Sequence, residues 1–229
     1  MAEQSGNNIS RRRFLRYLVG GTAGLVASGW GIDRLLAHTL CRPGEWHGPV
    51  TDHFDGTCFF NPTVSLDYST SAAVKWLTER GQKGHYPTVS ENRCKPELAA
   101  EVSGSDWEIT MVNHSTLLIR CAGLNILTDP VWSDHTSPLP LGPERKRPVG
   151  IAWDELPPID LCLISHDHYD HFDVPTLQRL HKRDNPLFIV PLGLRSLLAY
   201  HLGTDPRCEE KDWWEQVQVS SQLRVVLTP

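Results

Sequence analysis

Leu161-Cys162-Leu163-Ile164-Ser165-His166-Asp167-His168-Tyr169-Asp170-His171-Phe172-Asp173-Val174-Pro175 is the stretch on which the reading of this chain turns. Its first four residues make a short apolar run that reads as a buried strand. The run breaks into His166, His168, Asp170 and His171. Pro175 then stands near the start of a segment whose Val174, Leu177 and Leu180 recur at helical spacing. Strand, polar turn, helix is the predicted order. In an extended chain alternate side chains share one side, so His166 and His168 are expected to point the same way. Asp170 and His171 follow in the turn, where the change of direction can aim them at a second position close by. One histidine near a strand end is commonplace. Three histidines and an aspartate between positions 166 and 171 are four groups that are costly to bury unpaired, and a metal ion supplies the partner. Imidazole nitrogen and carboxylate oxygen are the donors that zinc and other borderline metals take.

The pattern His166-x-His168-x-Asp170-His171 resembles the signature of the metallo-β-lactamase superfamily. Neighbouring blocks narrow the resemblance to the branch of N-acyl-phosphatidylethanolamine-hydrolysing phospholipase D and its bacterial relatives. These blocks are Phe59-Phe60-Asn61-Pro62, Leu127-Thr128-Asp129-Pro130-Val131-Trp132-Ser133, Gly142-Pro143-Glu144-Arg145-Lys146-Arg147-Pro148, Pro157-Pro158-Ile159-Asp160 and Asp212-Trp213-Trp214-Glu215, followed by a strand ending in Thr228-Pro229. The resemblance runs from about Phe54 to Pro229. It implies an α+β fold of the αββα sandwich kind and a binuclear metal site. His166, His168, Asp170 and His171 would hold the metals, with Asp170 counted among the catalytic groups. Zinc is the default metal; iron or manganese would use similar ligands. Asp129 is implied to lie beside the metal turn, where it could orient a metal-bound imidazole. The implied reaction is hydrolysis of a phosphodiester by metal-activated water, with a phospholipid or other phosphate ester as substrate. The alternatives are a lactonase or another hydrolase of the same fold, or a truncated, non-catalytic remnant. His114 falls where such relatives read Gly-His-Ala/Ser-Thr, here Asn113-His114-Ser115-Thr116. A place near the metals and a hydrogen-bonding role in the structure both stay open for it.

Bulk properties agree with a single enzyme-sized core. The 229 residues carry a net charge of −5, and the pI near 6.1 argues against nucleic-acid binding through a basic surface. Six cysteines without C-x-x-C spacing remove zinc-ribbon and thioredoxin-like readings. Cys121 and Cys162, inside apolar runs, are expected to be small buried hydrophobes. Arg145-Lys146-Arg147 reads first as a solvated charge run. In a phosphodiesterase it could also meet phosphate or anionic headgroups.

Ser10-Arg11-Arg12-Arg13-Phe14-Leu15-Arg16 resembles a twin-arginine export motif, and the mild apolar stretch Tyr17 to Ile32 after it is short for a membrane span. This predicts residues 1–36 as a signal or anchor segment recognised by the twin-arginine machinery, with a periplasmic or membrane-anchored product. Residues 37–106 are expected to be an extended lead-in with one short helix at Ser71–Arg80. His38, His47 and His53 within it read as solvated loop residues. Residues 107–229 are predicted to be the N-terminal part of the metallo-β-lactamase-like domain. Its elements are an antiparallel meander over 107–112, 117–121 and 125–128, then strands at 161–164 and 187–190, helices at 175–182 and 193–202, and a last strand at 225–228. Trp213 and Trp214 are expected to line a core or groove. In relatives a further metal-binding His follows the corresponding Thr-Pro, with an Asp and another His beyond it. The expectation from Thr228-Pro229 is therefore a fragment of a longer protein or a truncated gene. Four ligands from one turn would leave each of two metals under-coordinated.

Overall fold

The computed structural model describes residues 46–63, 75, 78, 79, 91–136 and 144–229. The export motif, the stretch after it, His38 and most of the Ser71–Arg80 helix lie outside the described residues. The described part falls within the unit Gly44–Pro229, and none of its helices is long and apolar enough to cross a membrane.

A six-stranded mixed sheet organises it, in chain order from one edge to the other. Strands β1 (Trp107–Asn113), β2 (Thr116–Cys121) and β3 (Leu124–Thr128) form the expected antiparallel meander. Strand β4 (Leu161–Leu163) then joins β3 in parallel, followed by β5 (Leu187–Pro191) and β6 (Cys208–Lys211), also in parallel. The crossovers between the parallel strands are helices α1 (Val174–Asp184) and α2 (Leu194–Leu202), as such connections require. Strands β7 (Gln216–Gln218) and β8 (Arg224–Val226) make a separate hairpin. The last strand thus ends at Val226 rather than reaching Thr228, because its register is set by pairing with the short β7.

Period-two alternation explains the layering. Leu118, Leu127, Cys162, Phe188 and Val190 face α1 and α2, where Leu177, Leu180 and Leu198 close one core. Their neighbours Cys121, Ile126, Leu161 and Ile189 face the other way and meet Val217 and Leu223 of the hairpin region. Cys121 and Cys162 are buried, as their apolar surroundings predict. On β1 the same outer face stays open, and Trp107, Ile109 and Met111 are each about three-fifths exposed.

The lead-in departs from expectation at one residue. His53 is 5% exposed. Its Nδ1 lies 2.6 Å from Asp52 Oδ1 and its Nε2 2.8 Å from Asp212 Oδ1, and its ring stacks on Trp213 at 4.1 Å. An isolated histidine in a Pro/Gly-rich stretch gives no hint of a carboxylate so far along the chain. Trp213 packs as expected, whereas Trp214 is 70% exposed. Burial opposes the charge on His53, but the two carboxylates outweigh it and raise the pKa above its ordinary 6.5. Only the imidazolium can donate from both nitrogens. Its stabilisation is therefore full below the unfolded value and is lost as pH rises through the higher folded value. Denaturation of the full chain followed across that interval should show wild-type stability falling relative to His53→Ala. Parallel profiles for the two proteins would contradict the bridging role.

Candidate metal centre

The site stands where strand ends converge. Strands β1, β3 and β4 all run in one direction, so Asn113, Thr128 and Leu163 finish at the same sheet edge. Ligands in open sheets with parallel strands gather at this carboxyl edge. The register Thr128↔Leu163 puts Asp129 beside the start of the histidine turn, and Asp129 N donates to Leu163 O at 2.8 Å.

Asp129 is a buried hub. Its Oδ1 accepts from Ser165 N at 2.7 Å, and its Oδ2 accepts from Ser165 Oγ at 2.8 Å and from His171 Nδ1 at 2.9 Å. The main chain is held too. The Thr116 hydroxyl donates to Asp129 O at 2.7 Å, and Asp129 sits at φ 37°, a left-handed conformation that Asp tolerates better than most residues. Because His171 Nδ1 donates to Asp129, its Nε2 is left with a lone pair for a metal. The same logic reaches His166, whose Nδ1 lies 2.9 Å from Ser165 Oγ. Ser165 gives its proton to Asp129 and accepts from His166, so His166 Nε2 is likewise free to ligate. Burial, then the neighbouring His171 and His168, push the His166 pKa down and favour the neutral form that metal binding needs.

The structure brings the predicted residues together in two overlapping groups. The His166 ring lies 4.0 Å from that of His171 and 4.5 Å from that of His168. The strand ends at Leu163 and His168 lies in a bend, so the turn, not strand alternation, sets their proximity. The second group adds His114. One donor atom from each of His114, Asp170 and His171 falls within 4.8 Å of the others. His114 Nε2 is 3.2 Å from Asp170 Oδ2, and His171 Nε2 is 4.0 Å from the same oxygen. Imidazoles and a carboxylate, with no thiol, fit zinc, iron or manganese.

Two residues that the sequence did not single out complete the frame. Ser165 links His166 to Asp129, as described. Asp173, 5% exposed, precedes α1 but makes no side-chain cap to it. Its carboxylate instead accepts from Trp132 N, Ser133 N and Ser133 Oγ at 2.7–3.1 Å, tying the histidine turn to the segment after Asp129. Its place just before a helix with Pro175 in the first turn was the available signal.

A cavity of about 340 Å³ adjoins this centre, with His114 and Asp170 on its wall beside Arg145, Lys146 and Arg147. The Arg145 guanidinium is pinned by Ser133 O at 2.7 Å and Val131 O at 3.3 Å. Burial pulls its pKa down, against nearby Asp134 and Asp173.

An uncharacterized protein of Mycobacterium tuberculosis is 40% identical over 229 residues, covering 95% of this chain and 60% of its own length. The chain therefore spans about three-fifths of that relative. The mitochondrial N-acyl-phosphatidylethanolamine-hydrolyzing phospholipase D of Saccharomyces cerevisiae is 40% identical over 132 residues, covering 57% of this chain and 28% of that protein. Among solved structures, CmlA, a diiron beta-hydroxylase from Streptomyces venezuelae, superposes with a TM-score of 0.42 at 30% identity, covering 56% of this chain and 24% of that one. The family described as the beta-lactamase superfamily domain matches residues 124–229. That span holds Asp129 and every histidine of the 161–175 turn, and over it the chain is similar to the beta-lactamase superfamily domain.

Proposed function

We propose that this chain carries the metal-binding part of a metallo-hydrolase that cleaves phosphodiesters, with a phospholipid as the favoured substrate. The observation that carries the reading is the shared wall of the 340 Å³ cavity, where two candidate ligands, His114 and Asp170, stand beside three consecutive basic residues. Guanidinium and ammonium groups are the side chains that recognise phosphate oxygens. The similarity to a phospholipase D of yeast supports the same substrate class. His166, His168, Asp170 and His171 would hold the metal, zinc by default. When bound, it supplies a water of lowered pKa and neutralises charge on the phosphoryl oxygens. The chain's own residues do the positioning. Asp129 fixes the His171 ring, Ser165 fixes that of His166, and Arg145 braces the loop that presents Lys146 and Arg147 to the cavity.

The test is His168→Ala in the full-length protein. We expect lowered metal content and loss of turnover on a model phosphodiester. Unchanged turnover at normal metal content would refute the assignment. Turnover of a lactone, with none on the phosphodiester, would move the protein to another reaction of the same fold.

A further inference from the structure

We infer that His114 is itself a metal ligand, completing with Asp170 and His171 a three-ligand position. The inference rests on the metal-binding reading above and extends it to a residue outside the histidine turn.

The distances carry it. Zinc–nitrogen and zinc–oxygen bonds of ~2.0–2.1 Å in a tetrahedral site set donor atoms roughly 3.3 Å apart. The 3.2 Å from His114 Nε2 to Asp170 Oδ2 and the 4.0 Å from His171 Nε2 to that oxygen bracket this spacing. The rings of His114 and His171 meet edge to face at 5.1 Å, so both can turn a nitrogen toward one point. The fold holds His114 there. The β1–β2 turn opens onto the sheet edge where β3 and β4 end, and His114 takes φ 37°, an unusual conformation outside glycine. Non-glycine residues in that region cluster at sites where the surrounding structure over-determines them. Asn113 Nδ2 donates to Val131 O at 2.8 Å, and Thr128 Oγ1 donates to Ser115 O at 2.7 Å. The residues on both sides of His114 are thus tied to the strand and loop that carry Asp129.

Three protein donors are what a catalytic zinc site generally takes. His114, Asp170 and His171 contribute three protein donors. Two of them are already placed, His171 by Asp129 and His114 by the bonds on both sides of its turn, so little ordering remains to be done at this position.

The experiment titrates metal-free full chain with Co(II) alone, following ligand-field absorption and bound equivalents. Wild type should take up one tight equivalent. His114→Ala and His114→Gln should both weaken it by more than the ~10–100-fold that losing an outer-shell partner costs, whereas His166→Ala should keep it. Gln can still donate a hydrogen bond to Asp170 but is a poor ligand. Wild-type affinity in His114→Gln would therefore overturn the proposal in favour of a hydrogen-bonding role. Loss of the tight equivalent in His166→Ala would place that equivalent on the histidine turn alone and overturn the assignment. Should wild type take up no tight equivalent at all, the metal-binding reading itself would fall, an outcome distinct from failure at His114 alone. The His114 side chain is about half exposed, and thermal melts of the variants show whether they fold.

Discussion

Asp129→Ala is expected to destabilise the fold by about 3–5 kcal/mol, the scale for removing one partner from a buried charged network. The same variant should lose roughly 10–100-fold in metal affinity, as loss of a ligand-orienting carboxylate does. The substitution removes the acceptor for Ser165 N, Ser165 Oγ and His171 Nδ1 together. It also leaves alanine at φ 37°, where a Cβ is strained and no side-chain oxygen compensates. Asp129→Asn should fall between the two, since it keeps one acceptor oxygen but cannot serve all three donors. Urea denaturation and metal analysis of the three proteins check this. Wild-type stability and metal content in the alanine variant would show that Asp129 neither braces the turn nor orients His171.

Chelation should have a comparably large effect on the full-length protein. A metal that binds only the folded state adds about 4 kcal/mol of stability at a thousandfold excess over its Kd. On the proposed ligand set it would be held by both the β1–β2 turn and the histidine turn, so its removal would release a tie between two parts of the sheet edge. We expect the chelated protein to melt at lower temperature and to lose hydrolysis, with both restored by added zinc. Superimposable melts before and after chelation would mean that no structural metal resides there.

The sheet was legible from the sequence wherever one face of a strand meets water or a different layer. Alternation marks β1 and β2, and turn residues mark the ends of the meander. The histidine turn was legible because its residue types are too costly to gather without a purpose. Strand β6 was not. Cys208-Glu209-Glu210-Lys211 carries charge along an edge, and it is pairing with β5, not an apolar pattern, that makes it a strand. Strand β7 is too short to show a period. At the site, Asp129 was reached through a resemblance. The geometry that joins it to His171 depends on the parallel pairing of β3 with β4, which no local pattern states. Ser165 and Asp173 are residue types found in any loop, and their importance comes from partners 30 to 40 residues away. His53 escaped for the same reason, since its partner Asp212 is 159 positions distant.

The carboxyl-edge arrangement also bears on how such a protein can change. Strands β3, β4 and β5 are almost wholly apolar between their ends, while every candidate ligand lies in the β1–β2 turn or the β4–α1 turn. The scaffold is thus chemically blank, and the reactive inventory is written in two short connections. Loops tolerate replacement far better than packed strands do. A descendant, or an engineer, could exchange the ligands for those of a different ion, or widen the cavity beside Arg145, and leave the core's packing untouched. Asp129 sets the limit of that freedom, because its carboxylate serves the turn while its main chain is bonded into the sheet.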